Sequence, residues 1–246
     1  MVYIDVGTHF GQEFQSMFGS SWYFFWKLTR RIIGFYLLRK GEKLTIKNLI
    51  KIVLQRRKIK QNEDKFLTYF IEANPKIIHR SNVYKEAQGV FNCALTGEEN
   101  VNITNLFLAN FFTESALSQG SSIFSNKNNV SEEYFLPTIG VPARLFFEAF
   151  KRYLDNSVSE YVVILRLNCE GVEDDVIYAA HQFFGNKLKL IMGSIEDVKE
   201  CKGDAAHLTL ERYIDDNSLL FVNFSSSVNS WMKAHSSINH LHSNYF

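Results

Sequence analysis

Short apolar runs recur along the chain between segments of helical periodicity. In most of these runs, polar residues do not occupy every second position. A strand exposed on one face alternates apolar and polar residues, so continuous runs indicate strands that are covered on both faces. The sequence therefore predicts an α/β fold with a doubly wound, mostly parallel sheet and helices on both faces. The predicted strands are Val2–Val6, Phe66–Ile71, Val90–Leu95, Tyr161–Asn168, Lys187–Ser194 and Leu219–Phe224.

The remaining segments complete a single predicted domain over residues 1–246. Predicted helices are Gln12–Phe18, two within residues 21–60, Arg144–Leu154, Val172–Phe184 and Asp204–Ile214. We treat residues 19–62 as a basic, aromatic helical insertion. Residues 113–133 are rich in Ser and Asn, which predicts a long loop near a site. Residues 235–246 read as a frayed tail.

Composition bears on the compartment. The three cysteines, Cys93, Cys169 and Cys201, have no pairing or metal-ligand spacing, as is typical of a reducing environment. The N-terminus lacks the basic region of a signal peptide, and no uncharged apolar stretch is long enough to span a bilayer. These features predict a cytoplasmic protein, with peripheral membrane contact as a further interpretation.

In parallel sheets, ligands bind beyond the carboxyl ends of the strands. The first strand runs into Asp5, Gly7 and Gly11 in a D-x-G-x-x-x-G pattern, which differs from the G-x-G-x-x-G fingerprint for dinucleotides. Glycines allow close approach of a ligand, and an acid can face an ammonium group. Glu72, after the second strand, is placed to accept hydrogen bonds from a ribose diol. A ligand with an amino-acid end and a ribose is S-adenosylmethionine.

The segments "IDVGTHFGQE", "FIEANP", "GVFNCALTG" and "VILRLNCEGVE" together resemble the FkbM-type methyltransferases over most of residues 1–192. The resemblance implies a class I, Rossmann-like methyltransferase fold and O-methylation of sugars or other hydroxylated metabolites with S-adenosylmethionine. It implies cofactor contacts from the glycine loop, from the E-A-N turn and from the segment near the adenine, and a reaction centre at the closing motif. The implied cofactor residues are Asp5, Gly7, Thr8, His9, Gly11, Glu72, Ala73, Asn74, Ala94 and Leu95. Asn92 and Cys93 are also implied to lie beside the adenine. The residues implied near the methyl group are Asn168, Glu170 and Glu173.

The chain departs from the family pattern at several places. His9 replaces an asparagine of the glycine loop, and Asn168 replaces an aspartate of the closing motif, which removes a carboxylate from the expected reaction centre. About 45 residues are inserted between the first two motifs, and the first strand starts almost at Met1, whereas members usually carry sequence before it.

Methyl transfer to a hydroxyl needs a group that takes the acceptor proton. Glu170, His9 and His181 are the candidates. Glu170 ends the central strand and is the first choice, although it could instead order the start of the next helix. Asn168 cannot act as a base but can orient a hydroxyl. No metal site is predicted. The acids at 173–175 are interpreted as a charged first helical turn, with a hard cation as the alternative.

Residues 21–60 contain 12 of the 27 lysines and arginines and a single acid, Glu42. Two helical faces are predicted, separated by "RKGEK". They consist of Trp22, Phe25, Trp26, Ile32, Ile33, Tyr36 and Leu37 in the first helix, and of Ile46, Leu49, Ile50, Val53 and Leu54 in the second. Three interpretations stay open: a cap whose apolar faces cover the sheet, a membrane-surface element, or a site for an anionic acceptor such as a glycan. Nucleic acid is the least supported partner.

Two classes of function follow. The first is an S-adenosylmethionine-dependent methyltransferase that acts on a glycan or small hydroxylated metabolite. The second is a non-catalytic protein of the same fold that binds a membrane or a partner through the basic insertion. A nicotinamide-dependent oxidoreductase is disfavoured, because the dinucleotide fingerprint is missing.

Overall fold

A parallel β-sheet forms the centre of the protein. The computed structural model describes residues 1–38, 45–109, 120–223 and 228–245. Six strands form the central sheet in the order β3-β2-β1-β7-β8-β9, and every pairing in it is parallel. The strands are β1 (Val2–Val6), β2 (Leu67–Ile71), β3 (Gly89–Phe91), β4 (Ala94–Thr96), β5 (Asn102–Ala109), β6 (Val130–Pro142), β7 (Val163–Leu167), β8 (Leu188–Gly193) and β9 (Phe221–Asn223).

Helices cover both faces of this sheet, as the continuous apolar runs predict. They are α1 (Gln12–Phe18), α2 (Ser21–Leu38), α3 (Ile46–Gln61), α4 (Pro75–Arg80), α5 (Ala143–Ser157), α6 (Glu173–Phe184), α7 (Glu196–Lys202), α8 (Asp204–Asp216) and α9 (Val228–Tyr245). On one face Ile4 and Leu165 belong to a core with α5, α6 and α8. On the other, Tyr3 and Ile164 belong to a core with α1, α4 and α9. The expected α/β class and mostly parallel sheet are confirmed.

The sequence interpretation missed a second sheet of three strands. Its order is β4-β6-β5, with β4 parallel and β5 antiparallel to β6. The single strand predicted over Val90–Leu95 is divided, since β3 joins the central sheet and β4 joins the small one. The loop predicted over residues 113–133 is shorter than expected, because β6 begins at Val130. Its first part, residues 113–119, lies outside the described residues.

The two helices of the insertion form as predicted, but only part of their predicted apolar faces packs against the protein, since Ile32, Leu49 and Val53 are partly buried. Trp22, Phe25, Trp26 and Ile33 of α2 are exposed, as are Ile46, Ile50 and Leu54 of α3. The buried cluster is instead Phe24, Leu28 and Ile52, packed against Trp231 of α9. Helical periodicity shows that apolar residues share a side of the helix, but it does not show which side packs against the rest of the protein. The linker "RKGEK" and the side chains of Tyr36 and Leu37 lie outside the described residues.

The predicted frayed tail was also wrong. Residues 228–245 form α9, whose Trp231, Ala234, Ile238 and Leu241 are buried. These residues recur at three- and four-residue intervals and therefore share one side of the helix. His235 is buried among them, and the other Ser, Asn and His residues of "HSSINHLHSNYF" are half-buried or exposed. These many polar residues mask the apolar pattern in the sequence. Within the described chain, no helix combines the length and the apolar character needed to cross a bilayer.

Candidate functional site

A cavity opens at the carboxyl ends of β1, β2 and β7. Strand β1 lies between β2 and β7, so the chain leaves β1 in one direction along the sheet and returns on its other side. Such a reversal creates a crevice where α/β proteins bind their ligands. The cavity wall comprises Val6, Gly7, His9, Ile71, Glu72, Ala73, Asn74, Ile77, Cys93, Ala94, Leu95, Leu106, Gly120, Ser121, Ile123, Asn168, Cys169, Glu170 and Val172.

Most of the residues selected from the sequence meet in this wall. The ten are Gly7, His9, Glu72, Ala73, Asn74, Cys93, Ala94, Leu95, Asn168 and Glu170. Asp5, Thr8 and Gly11 do not line it. Thr8 instead borders a second, polar cleft with Gln12, Arg166 and Asn168. The structure thus brings together four segments that are far apart in the sequence.

The glycines of the first loop are required by the protein's own packing. Gly7 has a φ of +72°, and a Cβ built on it would lie 2.0 Å from the backbone oxygen of Asn168. Gly11 has a φ of +62°, and its Cβ would lie 2.7 Å from a methyl of Val83. The expectation that these glycines make room for a ligand is therefore corrected. The space beside Gly7 is filled by the backbone that follows β7, and the space beside Gly11 is filled by Val83.

Asp5 binds an arginine rather than the cavity. It is fully buried and pairs in register with Arg166 on β7, whose Nη1 donates to Asp5 Oδ1 at 2.8 Å. Arg166 Nη2 also donates to Glu13 of α1 at 2.9 Å. Burial raises the pKa of Asp5 to about 6, against the opposing effect of Arg166. The placement of Asp5 beside a ligand ammonium is not supported by this geometry, because Asp5 does not line the cavity and its Oδ1 is bound by the guanidinium.

Glu72 connects the glycine loop to the end of β2. Its Oε2 accepts the His9 backbone N–H at 2.7 Å, and its Oε1 accepts the Asn74 N–H at 2.8 Å. Burial raises the pKa of Glu72, while these two hydrogen bonds lower it. Each carboxylate oxygen has a further lone pair, so the side chain can still accept from a ligand that enters the cavity.

His9, within the glycine loop, is held in a strained backbone conformation. Its φ is +51°, a value that non-glycine residues rarely adopt, and the Tyr84 hydroxyl donates to its carbonyl at 2.5 Å. Glu170, with a φ of +60°, is the second non-glycine residue of the described cavity wall with a positive φ. Strained residues concentrate at functional sites, where the surrounding structure holds them in place.

The loop after β7 is ordered by a carboxylate other than Glu170. Glu173 is fully buried, and it accepts the backbone N–H of Cys169 at 3.0 Å and of Gly171 at 2.8 Å. Burial raises the pKa of Glu173 to about 7. The ordering role that the sequence left open for Glu170 therefore belongs to Glu173. This leaves the Glu170 side chain at the cavity wall.

Glu170 forms an ion pair that sequence reasoning missed. Lys127 Nζ donates to Glu170 Oε2 and lies 3.0 Å from Asp197. Asn168 Nδ2 lies 3.3 Å from Glu170 Oε1, and the Ser122 hydroxyl donates to the Glu170 carbonyl at 2.6 Å. Lys127 is buried. The only signal for it in the sequence is its position as the single cation of the polar segment 113–133.

Other candidates are separate from the cavity. His181 Nδ1 lies 2.8 Å from the Tyr213 hydroxyl on α8, and His181 does not line the cavity. Asp174 and Asp175 both bind Lys202, at 2.6 Å each. These ion pairs agree with the interpretation of residues 173–175 as a charged helical turn.

The cavity has an acidic and an apolar side. Its described wall carries two carboxylates, Glu72 and Glu170, and no lysine or arginine. The apolar side includes Ala94, Leu95 and Leu106. Asn92 links the two sides, because its Nδ2 donates to the Glu72 carbonyl at 2.8 Å. The arrangement suits a ligand with a cationic or hydroxyl-rich end and a flat apolar end.

No family model, no curated protein and no solved structure matches this chain.

Proposed function

We propose that this chain binds S-adenosylmethionine in the cavity and transfers its methyl group to a hydroxyl of a sugar or small hydroxylated metabolite. The observation that carries the proposal is the acidic wall at the end of β1, β2 and β7, without a lysine or arginine among its described residues. Glu170 is already paired with Lys127, whereas the Glu72 carboxylate accepts only backbone N–H groups among the described residues. A nicotinamide dinucleotide would bring a pyrophosphate towards Glu72, which is electrostatically unfavourable. S-adenosylmethionine carries a sulfonium and no phosphate.

The residues present fit this cofactor. Glu72 would accept hydrogen bonds from the ribose hydroxyls, since its oxygens keep free lone pairs beside their backbone donors. Ala94 and Leu95 would contact the adenine. When bound, S-adenosylmethionine supplies an electrophilic methyl group on a positively charged sulfur.

The chain's own residues have two tasks at the other end of the cavity. Asn168 would orient the acceptor hydroxyl with its amide, and Glu170 would accept the proton. Lys127 fixes the Glu170 carboxylate in position through their ion pair. Positioning matters here because a displacement requires the acceptor oxygen to be in line with the transferred carbon.

A non-catalytic binding protein of the same fold is the second candidate. The favouring observation is that Glu170 Oε2 is already engaged by Lys127, while Asn168 offers no second carboxylate. Such a protein would bind the cofactor without turning it over. Binding and turnover therefore need separate measurements.

Calorimetric titration with S-adenosylmethionine, and separately with NAD, tests the binding step. We expect S-adenosylmethionine to bind and NAD not to bind. Glu72→Gln should weaken S-adenosylmethionine binding roughly tenfold or more, since it removes a charged hydrogen-bond acceptor. Glu132→Gln, at an exposed position on β6, serves as the matched control. Circular dichroism checks that both variants fold.

Preferred binding of NAD, or equal affinity for S-adenosylmethionine in wild type and Glu72→Gln, would contradict the proposal. For turnover, release of S-adenosylhomocysteine is measured with a panel of hexoses and small polyols. Product that is lost in Glu170→Gln supports the enzyme. Binding without product across the panel supports the non-catalytic candidate.

A further inference from the structure

Helix α2 presents an apolar face to solvent. Trp22 is 80% exposed, and Phe25, Trp26 and Ile33 are each about half exposed. Their spacing of three, four and seven residues places them on one side of the helix. The opposite side carries Phe24 and Leu28, which are buried against α3 and α9. The exposed face is therefore not a packing surface of the described fold.

Helix α3 presents a similar face. Ile46, Ile50 and Leu54 follow one another at four-residue intervals and are more than half exposed, Ile46 to 78%. Lys47 and Lys51 are exposed directly beside them, and Arg57 and Lys58 extend the charge towards the end of the helix. An apolar stripe bordered by basic residues is thus open to solvent from Ile46 to Leu54 of α3.

The two faces belong to one surface, which we call the α2–α3 face. Phe24 and Leu28 of α2 share a buried cluster with Ile52 of α3. Phe25 of α2 and Arg57 of α3 line the same groove between the two helices. The exposed aromatic side chains of one helix therefore meet the exposed cations of the other.

The charge on this surface is mostly positive, although Lys27 pairs with Glu13, Lys60 pairs with Glu63 and Arg56 is buried. The described residues of α2 and α3 include nine lysines and arginines and no acid. Lys47, Lys51 and Lys58 form no ion pair within the described parts of the chain. Arg30 lies over the Trp26 ring, 4.9 Å from its centroid. A surface of uncompensated cations attracts an anionic partner.

The small sheet shows that exposure of apolar residues alone is not the distinguishing feature. Ile103 and Ile139 are paired across β5 and β6 and are both exposed. However, the exposed residues near them in sequence include Glu98, Glu99, Glu132 and Glu133. This second apolar surface carries the wrong charge for an anionic partner. The α2–α3 face differs from the small sheet in combining exposed apolar residues with exposed basic ones.

We propose that the α2–α3 face docks this protein on an anionic phospholipid bilayer. Tryptophan and phenylalanine side chains partition into the interface between headgroups and acyl chains, and lysine and arginine pair with headgroup phosphates. A bilayer offers an apolar layer for the exposed apolar stripe and a phosphate layer above it for the basic residues that border the stripe. A nucleic acid offers phosphates but leaves the row of Ile46, Ile50 and Leu54 in water. The helices lie on the bilayer surface and do not cross it.

Sedimentation with phosphatidylcholine vesicles, prepared with and without phosphatidylserine, tests this proposal at low salt. The wild-type chain should sediment with the phosphatidylserine vesicles and dissociate as salt is added. Lys47→Glu with Lys51→Glu should weaken binding roughly tenfold or more, since each basic residue near the surface contributes to the attraction. Ile50→Ser with Leu54→Ser should weaken it through lost insertion.

Helix α8 offers a matched control. Leu208 and Arg212 are exposed and four residues apart, like the pairs that are changed on α3. Leu208→Ser with Arg212→Glu should bind vesicles like the wild type. Circular dichroism should show that all variants keep their helix content.

The proposal is overturned if the wild type ignores phosphatidylserine vesicles, or if it binds neutral vesicles equally well. It is also overturned if the α3 variants bind like the wild type, or if the chain binds single-stranded DNA but not vesicles. Neither S-adenosylmethionine nor turnover enters this assay. Its result is therefore independent of the proposed enzymatic function.

Discussion

At the scale of single residues, several side chains that the sequence suggests as ligand contacts bind other groups of the protein instead. Asp5 and Arg166 are opposite charges on neighbouring strands and neutralise each other in the core. Glu72 and Glu173 each accept two backbone N–H groups and so hold the two loops that form the cavity. A buried acid after a strand therefore indicates an ordered loop at least as directly as it indicates a ligand.

Gly7 gives a prediction at this scale. Gly7→Ala should lower the free energy of unfolding by more than about 2 kcal/mol, because a Cβ adds a backbone clash to the cost of a left-handed φ. Urea unfolding without any ligand measures it. Gly185→Ala is the control, since Gly185 also has a positive φ but has open space around its Cβ. Equal losses of unfolding free energy in the two variants would show that the close contact between residue 7 and the Asn168 backbone does not affect stability.

At the scale of elements, helices and strands follow from local pattern, while their orientation does not. The periodicity of α2 and α3 predicts both helices, yet the arc that is buried depends on Trp231 of α9, which is almost 200 residues away. The same residue explains why the tail is ordered. It stacks on Phe24 with ring centroids 5.8 Å apart and planes within 10°.

Helix α9 gives the prediction for this scale. Trp231→Ala should lower the free energy of unfolding by about 3 to 5 kcal/mol, because it removes a fully buried aromatic side chain from the contact with α2 and α3. Urea unfolding again gives the value. Lys233→Ala, an exposed position on the same helix, should change stability by less than about 0.5 kcal/mol. A frayed tail would make both substitutions equally harmless.

At the scale of the whole molecule, the buried carboxylates shape the dependence of stability on pH. Burial raises the pKa of Glu173 from 4.5 to about 7 in the folded protein, while the unfolded chain keeps the ordinary value. Between these values the folded state binds a proton that the unfolded state does not bind. This group therefore stabilises the fold at low pH and loses that contribution as the pH rises towards 7.

Glu173→Gln tests this linkage. The free energy of unfolding, measured by urea between about pH 5 and pH 7, should fall with rising pH more steeply in the wild type than in the variant. Asp5 contributes in the same direction in both proteins and so cancels in the comparison. Parallel curves would mean that Glu173 titrates near its ordinary value despite its burial.

Local sequence pattern predicts the class of fold and most of the residues that line the candidate cavity. Continuous apolar runs such as Val2–Val6 and Tyr161–Asn168 must be covered on both faces, and in a parallel sheet their carboxyl ends meet at one edge. That is why Glu72, Asn168 and Glu170 meet in one cavity, although they are far apart in the chain. These inferences rest on local pattern and on the geometry of parallel strands.

The partner of each residue depends on how distant segments of the chain pack together. The ion pair of Lys127 with Glu170, the neutralisation of Asp5 by Arg166 and the approach of Gly7 to Asn168 all join segments that are distant in sequence. The direction in which α2 and α3 face was likewise set by α9. Local pattern fixes the spacing of side chains along an element, whereas contacts between elements depend on how the whole chain packs.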